Sequence, residues 1–209
     1  MKKLLSILVL SVACVTALHA EGFYTQFELG AGRLHGKATN GEVLSLPGVT
    51  SYESAKKDHF VAAVAVGYQY DLNEDFSYGA ELGYKHVGKD AGTINNGGEL
   101  SQQLNIVDAL VVGTYHVNSE LDAFGKFGGA FVGNNVSLTT PTRSQSITTV
   151  SLRPELALGA GYSVMENVQV IATLSHIFGE EHKNESNNSG IKATVPSVTM
   201  ATVGLKYMF

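Results

Sequence analysis

The chain has 209 residues, 44% of them hydrophobic and 16% charged, with a formal net charge of −5 at pH 7 and a single cysteine. That length and a lack of linker-like stretches point to one domain, and the acidic balance argues against nucleic acid or anionic lipid as a partner held by charge. One cysteine can make neither an internal disulfide nor a thiolate metal site.

Lys2 and Lys3 precede an apolar run from Leu4 to Val15 that ends among small residues, the build of a secretory signal peptide, expected over residues 1–20 and absent from the mature protein. Cleavage after Ala20 leaves Glu21 and Gly22 as a polar start and is preferred, with Ala17 the alternative. A lipoprotein reading through Cys14 is disfavoured because Ser11 stands where an aliphatic residue is needed. The run is too short for a spanning helix, which needs about 20 apolar residues. Loss of the leader removes Cys14 and two lysines, taking the net charge to −7. The longest uncharged apolar stretch that follows, Phe60 to Tyr70, is half a helical span, so any membrane crossing falls to strands.

From Phe23 the chain alternates by twos. In F-Y-T-Q-F-E-L-G-A-G one parity carries Phe23, Thr25, Phe27, Leu29 and Ala31, and the other Tyr24, Gln26, Glu28, Gly30 and Gly32. The split recurs through Phe60, Ala62, Val64, Val66, Tyr68 and Tyr70, and again through Tyr78, Ala80, Leu82 and Tyr84, opposed by Gly79, Glu81, Gly83 and Lys85. Further strands are expected at 104–117, 121–133, 150–164, 168–178 and 195–209, eight in all. Short polar links at 71–75, 118–120 and 165–167 alternate with longer segments near 33–58, 88–103, 134–149 and 179–194. Such alternation predicts an up-and-down antiparallel barrel with every long loop at one end.

A soluble ligand-binding barrel and an outer-membrane barrel both fit eight such strands, and the side that carries the charges separates them. The mixed parity holds Glu28, Glu81, Lys85, Asp108, Lys126, Arg153, Glu155 and Lys206, four acids and four bases, the balance a sealed low-dielectric interior requires. The apolar parity carries almost nothing ionisable except His86 and His176 near the loop rim. Tyr68, Tyr70, Phe76, Tyr78, Tyr115, Tyr162, Tyr207 and Phe209 gather beside the short links, as an aromatic girdle at a bilayer interface does.

The final octapeptide, T-V-G-L-K-Y-M-F, places Thr202, Gly204, Tyr207 and Phe209 in the polar-x-Gly-x-x-aromatic-x-aromatic ending of bacterial outer-membrane barrels. With it, and with L-D-A-F-G-K-F-G-G-A-F-V at 121–132, the chain resembles the small eight-stranded bacterial outer-membrane β-barrel family, similar to the membrane domain of outer-membrane protein A. The resemblance implies an all-β transmembrane barrel over 21–209 in the cell outer membrane of a Gram-negative bacterium, termini in the periplasm, long loops outside. It also implies that the barrel-assembly machinery reads the C-terminal signal, and that Lys126, Arg153 and Glu155 join a lumen ion network. Ile171 and Thr173 depart from the pattern, standing where charged lumen residues are expected. A peptidoglycan-binding role is not expected to carry over.

Among chemical motifs, G-R-L-H-G-K-A at 32–38 is one residue short of a phosphate loop and lacks its closing Ser or Thr. Ser175 and His176 are adjacent on a strand and face opposite ways. His86, His116, His176, Ser77 and Asp108 show no spacing that sets a Ser, a His and an acid on one lipid-facing patch. An eight-stranded barrel is narrow enough for side chains to fill. The expectation is therefore a monomeric, non-catalytic protein without cofactor or metal, in contact with outer-membrane lipid. Its role would be membrane integrity and surface contact, with adhesion to a host or surface protein as the extended form. A lipid-modifying enzyme and a narrow channel are the alternatives. Val43, Leu44, Leu46, Val49 and Tyr52 make the longest loop unusually apolar and are the candidate contact residues.

Overall fold

The computed structural model describes residues 22–35, 58–93, 99–140, 143–179 and 197–209. The leader and the loop residues Val43, Leu44, Leu46, Val49 and Tyr52 lie outside the described residues. Eight strands follow one another: β1 (Phe23–His35), β2 (His59–Asp71), β3 (Phe76–Thr93), β4 (Glu99–His116), β5 (Leu121–Thr140), β6 (Arg143–Met165), β7 (Val168–Ile177) and β8 (Ser197–Met208). Each pairs antiparallel with the next, and β8 pairs with β1 from Tyr24↔Met208 to His35↔Ser197, so the sheet closes and no edge remains.

Local chemistry fixes the tight ends. In the β2–β3 turn the Asn73 side-chain oxygen accepts from the amides of Asp75 and Phe76, at 3.0 and 2.9 Å. Asn118 repeats this in the β4–β5 turn with Glu120 and Leu121, at 2.9 and 2.8 Å. An asparagine that caps its own turn in this way replaces the ladder bonds the chain loses on reversing. At the seam, a Cβ on Gly204 would sit 2.0 Å from the Phe27 carbonyl oxygen and 2.7 Å from the Glu28 Cα, so only glycine lets β8 approach β1 there. Gly67 leaves room for the Tyr24 ring, which a Cβ would meet at 2.3 Å.

At the opposite end two hairpins are taller than expected. The segments 88–103 and 134–149, expected as loops, are largely ladder: β3 and β4 stay paired out to Thr93↔Glu99, past an irregularity between Val87 and Asp90, and β5 and β6 out to Thr140↔Arg143. In sequence N-N-V-S-L-T-T and S-Q-S-I-T-T-V keep β-branched residues but lack the apolar alternation that marks a half-buried strand.

The two parities face opposite ways, the apolar set outward. Leu82 and Phe127 are 62% and 64% exposed, and Phe27, Leu29, Phe60, Val64, Val107, Val111, Leu152, Leu158, Leu174 and Val203 are exposed as well. So much contiguous apolar surface is intolerable in water and natural in hydrocarbon. At the turn end the girdle is visible as ring pairs: Tyr70 with Tyr78 at 5.5 Å, Phe76 with Tyr115 at 4.9 Å, and Tyr207 with Phe209 at 5.1 Å. Toward the loop end, polar side chains appear on the outer face: the Tyr84 hydroxyl donates to Asn105 at 2.9 Å, and His86 Nδ1 lies 3.0 Å from the same oxygen.

Candidate functional site

The inward parity fills the barrel in three layers. Nearest the loops, Val61, Val87, Leu104, Ile106, Ala130, Val132, Ile177, Val198 and Met200 pack into an apolar cluster with Leu34 against it. The expected inward face is mixed, with its eight ionisable residues named, and an apolar layer gathered at one end is not part of that expectation. Its members belong to the same parity as the charges but come closer to the loops, from one alternation (Val87 from Lys85, Ile106 from Asp108) to four (Val198 from Lys206).

The charged layer lies beneath. Lys126 Nζ donates to both oxygens of Glu81, at 2.9 and 2.7 Å, and the Tyr24 hydroxyl donates to Glu81 Oε2 at 2.9 Å. Lys85 bridges two acids, with Nζ 2.9 Å from Asp108 Oδ2 and in direct contact with Glu155 Oε1. Glu28 accepts from Gln26 at 3.1 Å and from the Thr202 hydroxyl at 2.5 Å. Glu28, Glu81, Asp108, Lys126, Glu155 and Lys206 are buried, and Lys85 and Arg153 are partly so. A carboxylate sealed from water is tolerable because a cation or several donors replace its hydration. The sequence names the members of this layer but not its pairing, since Lys85 and Glu155 stand 70 residues apart. Ile171 and Thr173 are buried on the inward face of β7, and that strand has no Asp, Glu, Lys or Arg between Val168 and Ile177.

A cavity of about 20 Å³ opens among Glu28, Glu81, Lys85, Lys126, Glu155 and Thr173. It has the size of one water and mixed walls, with Val61, Leu110 and Met200 on one part and, on another, the Thr173 hydroxyl and Glu155 Oε2, which have no side-chain hydrogen-bond partner. Among the described residues no group of three or more His, Cys, Asp or Glu could hold a metal ion.

The third layer closes the turn end. Gln69, Ser77, His116, Asp122, Gln169 and Lys206 join side chain to side chain there. Ser77 and His116 appear in the sequence reading without Asp122, which opens β5 beside a turn and reads as a surface residue. His116 and Asp122 are cross-strand partners in the β4–β5 register, and Ser77 stands opposite Thr114, one alternation from His116. His176 lies elsewhere, on the outer face, with Nδ1 2.8 Å from the Thr199 hydroxyl, while Ser175 is buried inside.

Of the C-terminal residues, Thr202 and Gly204 face inward at the β1 seam and Tyr207 joins the outer girdle. The amide of Phe209 donates to the Phe23 carbonyl at 3.0 Å, fastening the last residue to the start of β1.

Over residues 18–209 the chain matches the family model described as OmpA-like transmembrane domain. An uncharacterized protein of Coxiella burnetii is 25% identical over 224 residues, which span 90% of this chain and 85% of that one. Neisserial surface protein A is similar in structure with a TM-score of 0.52 at 13% identity, over 90% of this chain and 97% of that one. Ail, the attachment invasion locus protein of Yersinia pestis, gives 0.47 at 12% identity, over 91% and 100%. The resemblance to Neisserial surface protein A is one of fold.

Proposed function

The chain belongs to the OmpA-like transmembrane domain family and is an outer-membrane β-barrel, and from that premise we propose a protein of membrane integrity and surface contact, without catalysis at its loop end. The observation that carries this reading is the filled lumen. Among the described residues an apolar layer lies over an ion-paired layer, and an ion entering the apolar layer would shed its hydration without replacement. This disfavours the narrow channel and moves function to the rims and loops.

The termini lie in the periplasm and the long loops outside, the barrel is monomeric in outer-membrane lipid, and the assembly machinery reads Thr202, Gly204, Tyr207 and Phe209 during biogenesis. The apolar loop residues Val43, Leu44, Leu46, Val49 and Tyr52 meet a host or surface protein. No nucleic acid, cofactor or metal takes part. The test is a variant lacking residues 40–54, checked for assembly by heat-modifiable gel mobility and then for binding to host cells. Loss of binding by the assembled variant is the expected result; binding equal to wild type removes the loop from the function.

A further inference from the structure

At the turn end the inward side chains form a chain of hydrogen bonds that runs in one direction. Lys206 Nζ donates to Gln69 Oε1 at 2.8 Å, which fixes the Gln69 amide with its nitrogen toward Ser77, and Gln69 Nε2 donates to Ser77 Oγ at 3.0 Å. Ser77 Oγ lies 2.5 Å from His116 Nε2, and His116 Nδ1 lies 2.6 Å from Asp122 Oδ1. Gln169 Nε2 donates to the other Asp122 oxygen at 2.7 Å. An ionised carboxylate only accepts, so neutral His116 must carry its proton on Nδ1, and Nε2 is then an acceptor facing the Ser77 hydroxyl. Each proton has one place in this arrangement.

We propose that Ser77, His116 and Asp122 form a nucleophilic triad at the turn end of the barrel, with small acyl esters as its substrate class. The serine, the two imidazole nitrogens and the acid stand in the order that general-base activation of a hydroxyl requires. Ser77 Oγ attacks the ester carbonyl carbon while its proton passes to His116 Nε2. The tetrahedral adduct collapses, the alcohol leaves with the proton from His116, and the acyl group stays on Ser77. Water, deprotonated by His116, then releases the carboxylic acid and restores the hydroxyl, so ester and water give acid and alcohol. Gln69, held on its far side by the Lys206 ammonium, donates to Ser77 Oγ and leaves the hydroxyl proton to point at His116. Asp122 is a positioning residue: it holds the imidazole tautomer and is itself held by Gln169.

Access sets the substrate class. Ser77 is 4% exposed, whereas the side chains of His116 and Asp122 are 25% and 17% exposed. A hydroxyl so little exposed, approached past the partly exposed imidazole, suits a short acyl group and excludes a long lipid chain. Position strengthens the assignment: Ser77 and His116 stand on the inward faces of β3 and β4, on a rigid ladder beside two asparagine-capped turns.

The experiment uses the protein folded in detergent micelles, where membrane orientation and loop binding play no part. A fluorophosphonate probe is followed by gel fluorescence, with the labelled peptide assigned by mass spectrometry, and p-nitrophenyl acetate hydrolysis measures turnover. The triad predicts labelling on Ser77, none in S77A, and a rate lowered by roughly 10²-fold or more in H116Q and D122N. The wild-type rate should rise with pH, because the general base acts only without its proton on Nε2. Folded protein that stays unlabelled, labelling at another residue, or equal rates in H116Q and wild type overturns the proposal. Should H116Q fail to fold by gel mobility, a flat wild-type pH profile overturns it just as well.

Discussion

Lys126 is the most informative position at which to test the lumen. Its ammonium makes two bonds to Glu81, and among the described residues the other hydrogen bond at that carboxylate comes from the Tyr24 hydroxyl. Lys126→Met keeps the volume of the stem and strands a buried carboxylate with one donor, a loss of about 3–5 kcal/mol. That corresponds to roughly two to four powers of ten in the folding constant. Adding Glu81→Leu removes the stranded charge and returns about 2 kcal/mol, leaving about 1–3 kcal/mol for the Tyr24 hydroxyl, which then lacks its acceptor. Equilibrium unfolding in urea with the protein in lipid or detergent measures each step. The chain contains no tryptophan, so far-UV circular dichroism or heat-modifiable mobility serves as the readout. A loss under about 1 kcal/mol in the single variant, or a double variant worse than the single, refutes the reasoning.

Three further outcomes follow from the same geometry. Gly204→Val drives a side chain into the Phe27 carbonyl, 2.0 Å from the new Cβ, so the barrel should fail to close and migrate as unfolded protein; wild-type mobility would show that the seam tolerates a side chain. Phe127→Arg, at an outward position 64% exposed, should cost about 2–4 kcal/mol if it meets the bilayer centre. The same change at Tyr70, in the girdle, should cost only about 0–1 kcal/mol, and equal costs would contradict the assigned depth. In planar bilayers the wild-type barrel should give no steady open-pore current, and ohmic steps of porin size would show that the apolar layer does not seal the axis.

Strand number, order and facing were legible in the sequence because a residue such as Phe27 or Leu82 meets hydrocarbon while its neighbour meets a filled interior, and that contrast imposes period two. The ionisable lumen residues follow from parity alone. What parity does not carry is depth. Val61, Val87, Leu104 and Ile106 share the parity of Glu28 and Glu81, and nothing local says that they sit nearer the loops and make an apolar layer. Nor does it carry partners: Asp122 stands beside Ser77 and His116 only because three strands turn at one rim. The upper halves of β3 to β6 escape for the opposite reason, since their sequence lacks the alternation while the ladder persists.

Strand β6 has 23 residues, a contour of about 75 Å at 3.3 Å per residue. Tilted by about 45° it rises roughly 50 Å, twice the lipid band of about 25 Å. The β5–β6 hairpin is thus a stiff mast rather than a floppy tether. Whatever its tip touches is met by a platform already ordered through twenty rungs of pairing, so a first encounter there does not have to freeze a wandering chain.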